Sequence, residues 1–380
     1  MRVQLGKILT QACEGKYIDH PEREKYITVL LYGRGVKERT INEGKIPVQF
    51  NAWVAHTGQL IYSRINAENG AYAIVPNYLD GAVVSKDFPL YWIDTSQVLP
   101  DYLFYSLTSD AFVKKAQKNS VGATMRRLKE PVFESMEINL PTIEEQECIV
   151  SQIKRTISVI QGYQSHLTKL DQLIKARFVE LFGDPVSNPK GWEKRALSDE
   201  AEIKIGPFGS LLHKEDYISG GHALINPSHI VDGSLSPDNG LTLTDEKYEE
   251  LAPYHLLEGD VIMGRRGEMG RCAVVDRPGL LCGTGSLLIR SKGDLRADYI
   301  QRIISFPTFK RMIEDMAVGQ TMPNLNVPIV SAFQIIKPPQ AVQEQYYAFV
   351  YQVDKSKVVV QKALDQAKLL FDSLMQKYFG

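Results

Sequence analysis

The sequence predicts an α+β fold in which two mixed α/β domains are held apart by an antiparallel two-helix coiled coil, with pseudo-two-fold symmetry inside one chain. Three observations predict it. Two stretches of about forty residues, one in mid-chain and one near the far end, carry apolar residues at every seventh position. The segments before them repeat one another at a fixed interval. The order domain, helix, domain, helix then obliges the second helix to run back along the first if it is to bury its stripe there. Domains are expected at 1–140 and 184–338, with long helices at 141–183 and 339–380.

In residues 1–140, short apolar runs such as Tyr26 to Tyr32 lie between turn signals at Gly33, Gly35 and Gly44, which suits strands of a mixed domain. From Asp101 the pattern turns helical. A loop around Gly122 follows, then a strand-like stretch from Val132 to Leu140. The first long helix starts after Pro141 with the capping pattern Thr142-x-x-Glu145 and stops at Gly183 and Pro185. Ile153, Ile160, Leu167, Ile174 and Leu181 form its seam. Residues 184–338 repeat the first domain: Asp101-Tyr102 answers Asp298-Tyr299, Phe112 answers Phe309, and the loop Val121 to Leu128 answers Val318 to Leu325, at one interval (319 − 122 = 197). Earlier, Ile61 to Arg64 stands where Ile262 to Arg265 stands, and Gly81 to Ser85 roughly faces Gly283 to Ser286. The second long helix carries Val353, Val360, Leu364, Phe371 and Leu374 on its packing face.

The 44 basic and 45 acidic residues nearly cancel, which argues against a uniformly basic surface and directs attention to local charge. Val113 to Lys129 holds Lys114, Lys115, Lys118, Arg126, Arg127 and Lys129 without an acid, a field suited to a phosphate backbone. The matching stretch keeps Lys310 and Arg311 but has Asn324 and Asn326 in place of Arg127 and Lys129. A further cluster, Met263 to Arg271, sets Arg265, Arg266 and Arg271 among glycines, and arginine's fork fits guanine edges as well as phosphates.

Catalytic patterns are poor. The chain lacks a phosphate-binding glycine loop, an H-E-x-x-H pair and a nucleophile elbow. Asn226-Pro227-Ser228-His229 reads as a turn. Asp238, Asp245 and Lys247 lie in a loop-like run and offer an alternative reading as a self-sufficient magnesium-dependent nuclease. A coiled-coil protein scaffold is the other alternative. Cys13, Cys148, Cys272 and Cys282 are far apart and read as small buried hydrophobes, not as a metal or disulfide set. With no window near the ~18 apolar residues of a membrane span and no signal-like start, a cytoplasmic chain without membrane contact is expected.

The run from Pro141 to Pro185, preceded by the loop Gly122-x-Thr124-Met125-x-x-Leu128, resembles the central repeated region of specificity subunits of type I restriction-modification systems, and the likeness extends over the whole chain, including Gly191-Trp192-Glu193. The resemblance implies two target-recognition domains, each reading half of a split sequence on double-stranded DNA, and spacer helices that set the gap. It implies no catalysis and no cofactor on this chain. Two adenine methyltransferase (modification) subunits carrying S-adenosylmethionine would dock on the helices, and a motor and nuclease subunit joins where such systems cut DNA. Arg64, Arg126, Arg127, Arg265, Arg266, Arg271 and Asn324 are expected near the DNA.

Overall fold

The computed structural model describes residues 1–40, 48–122, 125–268, 270–317 and 324–380. Gly44, Met269 and most of the second repeat loop, Val318 to Pro323, lie outside them, as do Ala123 and Thr124. The chain forms two compact units, Met1–Lys169 with Ser356–Gly380, and Leu170–Lys355. Each unit therefore combines a mixed domain with parts of both long helices.

In the first unit, Arg2–Gln4 pairs antiparallel with Glu137–Asn139. A four-stranded antiparallel sheet runs in the order Leu9–Ala12, Leu90–Ile93, Leu60–Tyr62, Tyr72–Ile74. The second unit repeats both features: Glu193–Ala196 pairs with Gln334–Lys337, and its sheet runs Ala201–Ile205, Ser286–Ser291, Val261–Gly264, Cys272–Val274. The remaining sheets diverge. Three antiparallel strands, Gly15–Ile18, Phe50–Val54 and Val83–Val84, complete the first unit, alongside a hairpin of Ile27–Val29 with Val36–Glu38. The second unit instead has four, with a parallel step between His222–Ile225 and Leu280–Cys282.

The helices of the first unit are α1 (Pro100–Thr108), α2 (Asp110–Asn119) and α3 (Glu130–Ser135), leading into α4 (Ile143–Phe182). The second unit has α5 (Leu197–Glu200), α6 (Asp245–Glu250), α7 (Ala297–Ile304), α8 (Pro307–Ala317) and α9 (Val327–Ser331), leading into α10 (Gln340–Phe379). From α1 to α4 each first-unit helix starts 197 residues before its counterpart (340 − 143 = 197). Two predicted segments differ. Val132 to Ser135 is helical because Pro131, at the first turn, needs no amide partner, so the strand is only Glu137–Asn139. Asp245 to Glu250 is the helix α6, not loop, because Thr244 caps it by accepting from the Lys247 amide at 3.2 Å. The sheet register also places Leu90 against Ile61 and Leu288 against Ile262, so the loose pairing of Gly81 to Ser85 with Gly283 to Ser286 is slipped by a few residues.

Matching anchors recur at the same interval. The Tyr102 hydroxyl donates to the Asn139 carbonyl at 2.9 Å, and the Tyr299 hydroxyl to the Ile336 carbonyl at 3.1 Å. Gln146, fully buried, donates to the Pro141 carbonyl at 2.9 Å, and Gln343 to that of Pro338 at 2.9 Å. Each anchor pins a buried hydroxyl or amide to the backbone at the same place in the two frames, and losing it would leave a buried polar group unpaired.

At 40 residues, α4 is about 60 Å long. Thr142 and Glu145 exchange hydrogen bonds at its start (2.9 and 3.3 Å), and Gly183 leaves it at φ 78°. In the first unit Ile153 is fully buried with Ile149 and Val150, and Phe371, Tyr378 and Phe379 of α10 pack against the same core. Tyr378 donates to Gln152 at 3.0 Å. In the second unit Ile174, Phe178 and Phe182 of α4 meet Tyr346, Val350 and Val353 of α10, with Phe182 and Tyr346 rings 5.2 Å apart. The start of one helix thus accompanies the end of the other in both units, which makes the pair antiparallel. Val360 and Leu364 are buried, while Ile160, Leu167, Leu181 and Leu374 are half-buried.

Candidate nucleic-acid interface

Arg64 and Arg265 occupy the same place in the two units, just past the third strand of the shared sheet. The Arg64 amide donates to the Asp87 carbonyl at 2.9 Å and its carbonyl accepts from Leu128 at 2.9 Å. Arg265 makes the matching pair with Gly285 and Leu325, each at 3.0 Å. The backbone of the basic loop is thereby stitched to the sheet in both units. The side chains differ. Arg64 forms an ion pair with Glu130, whereas Arg265 is buried and donates from Nε to the Asn324 side chain at 2.9 Å. Burial, reinforced by the neighbouring Arg266, lowers the Arg265 guanidinium pKa.

The remaining candidate residues divide into two groups. One group is occupied within the fold. Arg126 donates to the Gln117 carbonyl at 2.5 Å and the Ser120 carbonyl at 3.0 Å, and lies 3.7 Å from Glu68, so it closes the C-terminal end of α2. Arg127 lies 3.4 Å from Asp87 while its backbone bridges to Val121. Arg271 pairs with Glu268 and donates to the Pro227 carbonyl at 3.3 Å; Lys310 reaches Glu268 at 3.4 Å. These two cations hold the Glu268 carboxyl below its ordinary range. Asn326 caps α9, accepting from the Ile329 amide at 3.0 Å.

The other group is exposed: Lys114, Lys115 and Lys118 on α2, Lys129 before α3, Arg266 after the strand Val261–Gly264, and Arg311 on α8. Spacing of three and four residues puts Lys114, Lys115 and Lys118 on adjoining faces of one helix. A surface of this kind can neutralise phosphates, whereas the occupied group fixes the shape of the loops that carry it. Glu68, Asp87 and Glu130, the partners of Arg126, Arg127 and Arg64, come from segments that local charge counting does not connect, whereas Glu268 lies three residues from Arg271 in the same cluster.

Other candidate chemistry does not assemble. Asp238 accepts from the Gly240 amide at 2.8 Å within a turn, Asp245 lies 3.0 Å from His222, and Lys247 is paired with Glu250 at 2.9 Å. Asn226 to His229 forms a single 3-10 turn, with His229 buried against the Leu224 carbonyl at 2.9 Å. Among the described residues no cluster of three or more His, Cys, Asp or Glu side chains could hold a metal ion, and no helix is long and apolar enough to cross a membrane. Cys272 and Cys282 are buried as expected, but Cys13 and Cys148 are exposed, since each sits on the outward side of its segment.

A family model for the type I restriction modification DNA specificity domain matches residues 2–169 and again 189–367. The chain is 31% identical over 156 residues to the HindI specificity subunit of Haemophilus influenzae, an alignment covering 40% of this chain and 34% of that one. It is 24% identical over 303 residues to the MjaIX specificity subunit of Methanocaldococcus jannaschii, covering 74% and 68%. The chain therefore spans about a third of the first relative and two thirds of the second. Among solved structures, a chain from work on complex assembly and conformational transition of the type I R-M system superposes with a TM-score of 0.63 at 18% identity, covering 100% of this chain and 97% of that one. The S subunit of a type I restriction-modification system from M. genitalium gives 0.54 at 12% identity, covering 100% and 96%. At such identities the likeness is one of fold. With one matched segment centred on each repeat and most of the sequence accounted for, the chain belongs to the type I restriction-modification DNA specificity family.

Proposed function

We propose that this chain is the sequence-reading subunit of a type I restriction-modification complex, acting on double-stranded DNA in the cytoplasm. Residues 1–140 and 184–338 each read one half of a bipartite target. The helices at 141–183 and 339–380 set the gap between halves and dock two methyltransferase subunits, on which S-adenosylmethionine is bound. A restriction subunit joins where cutting occurs, and the chain itself performs no chemistry. The relatives named above are specificity subunits, which supports this reading.

The observation that carries it is the pairing of a repeated frame with unrepeated sheets. The anchors Tyr102 and Tyr299, Gln146 and Gln343 recur at one interval, while the three-stranded and four-stranded second sheets differ. Two readers of different words on a common mount require such a plan. Lys114, Lys115, Lys118, Lys129, Arg266 and Arg311 would meet phosphates, with Arg64, Arg126, Arg127, Arg265, Arg271, Lys310, Asn324 and Asn326 shaping the loops around them.

The test is the target of complexes with a lengthened spacer. Inserting seven residues into each long helix, near Gln164 and near Leu364, adds about 10 Å of helix, or about three base pairs of unread gap. Both half-sites should remain as they were. A methylation profile with an unaltered gap would remove the spacer role. Failure of the wild-type complex to select any sequence would instead favour the protein-scaffold alternative.

A further inference from the structure

Tyr32 stands apart from the other exposed aromatic residues. It sits at the tip of the hairpin formed by Ile27–Val29 and Val36–Glu38, 73% exposed, with φ at 58°. Among the described residues the other non-glycine positions with positive φ are Asn188 and Asp232, types that adopt this conformation readily. A bulky aromatic does not, and such strain persists only where the surroundings over-determine it.

Here the surroundings do so. The Tyr32 amide donates to the Asn69 carbonyl at 2.8 Å and the Gly33 amide to that of Gly70 at 3.0 Å. Leu30 closes the tip by donating to Gly35 at 2.8 Å. The turn Ala67–Asn69 that receives the tip is itself bound to the basic helix: Gln117 of α2 donates to the Glu68 carbonyl at 3.0 Å, and the Glu68 carboxylate lies 3.7 Å from Arg126. A Cβ added to Gly70 would lie 3.5 Å from the Tyr32 Cα and 3.6 Å from the Val113 side chain, so hairpin tip, turn and α2 are in close contact. The exposed Arg34 follows on the same tip, its Nε donating to the Leu31 carbonyl at 3.1 Å.

Nothing in the core calls for this ring. A glycine would relieve the backbone and a polar side chain would suit the solvent. What the geometry supplies is a rigid aromatic group with a hydroxyl, presented from a two-stranded ribbon next to lysines suited to phosphates. A two-stranded ribbon fits the DNA major groove, and a tyrosine, with few torsions to freeze, contacts a base edge or thymine methyl at low entropic cost. Resting on the function proposed above, we infer that Tyr32 is a base-contacting, specificity-determining residue of the first domain, while Lys114, Lys115 and Lys118 hold the flanking backbone.

The experiment uses the chain assembled with its methyltransferase subunits and a library of random duplexes, read by which sequences become methylated. Tyr32→Ala is expected to lower discrimination at least tenfold at one or two adjacent base pairs in one half-site. The other half and the salt slope of binding should be unchanged, because no charge is lost. Tyr32→Gly removes the same ring while suiting the positive φ, and should give the same relaxed profile. The assignment is overturned if Tyr32→Ala selects the wild-type sequence at every position, or if Tyr32→Gly retains wild-type selection, since the alanine effect would then be backbone distortion. Selection of no sequence by the wild-type complex would instead defeat the DNA-reading function, and this assignment with it.

Discussion

Replacing Lys114, Lys115 and Lys118 together by alanine separates the cations that meet DNA from those that build the loop. All three are exposed on α2, and alanine is a good helix former, so folding should be unaffected. If each lysine neutralises one phosphate, the slope of log affinity against log salt falls by about 0.9 per lysine, or about 2.7 for three. Between about 50 and 200 mM salt the binding curves of the wild type and the triple variant should then converge by about 1.6 decades. Arg126→Ala is the contrasting change. Its guanidinium already faces Glu68 and two carbonyls at the end of α2, so the variant should lose about 1 kcal/mol of stability and change the slope by less than one. Anisotropy titrations of a labelled duplex at several salt concentrations measure both. A triple variant with the wild-type slope would refute the assignment of α2 to the DNA backbone, and an Arg126→Ala slope change equal to that of all three lysines would refute the division into exposed and occupied cations.

Further outcomes concern the frame and the thiols. Tyr102→Phe and Tyr299→Phe each leave one backbone carbonyl without its partner and should cost about 1–3 kcal/mol, read by denaturant unfolding. Asp260, buried and bonded to Arg290 at 2.7 and 2.8 Å, should give a larger loss as Asp260→Ala, about 3–5 kcal/mol, because the arginine is left unpaired. Iodoacetamide at about pH 8 should modify Cys13 and Cys148 of the isolated native chain and spare the two buried thiols. Burial pushes the Cys272 thiol up to about 12 and the Cys282 thiol higher still, so their reactive thiolates appear only in strong alkali; peptide mass spectrometry before and after denaturation reads the difference.

The helical half of each unit was legible because it depends on residue identity at fixed spacing. Heptad seams mark α4 and α10, and Tyr102 and Phe112 return as Tyr299 and Phe309 at matching buried positions of the two cores. Strands were less legible. Most are three to five residues long, and nothing local separates Val132 to Ser135 from a strand except the proline at its head. The candidate interface was legible as charge and not as function, because pairing is decided by partners from distant segments. Arg126 and Arg127 look alike in a basic run until Glu68 and Asp87 arrive beside them, and Arg64, outside that run, is met by Glu130. Asn326 carried a local signal, standing before Val327-Pro328 at a helix start, and reads as a cap once proline at the first turn is noticed. Tyr32 carried only its glycine neighbours, and its conformation follows from carbonyls nearly forty residues away.

The order of synthesis meets an asymmetry in how the two units are laid along the chain. The second is contiguous, Leu170–Lys355, and every side chain of its core is available once that stretch has been made. The first must wait: Phe371, Met375, Tyr378 and Phe379, which close its core over Ile149 and Ile153, are translated after the whole of the second. The unit begun first on the ribosome is therefore the one completed last, and until then the part of its apolar core that these side chains cover stays open to aggregation.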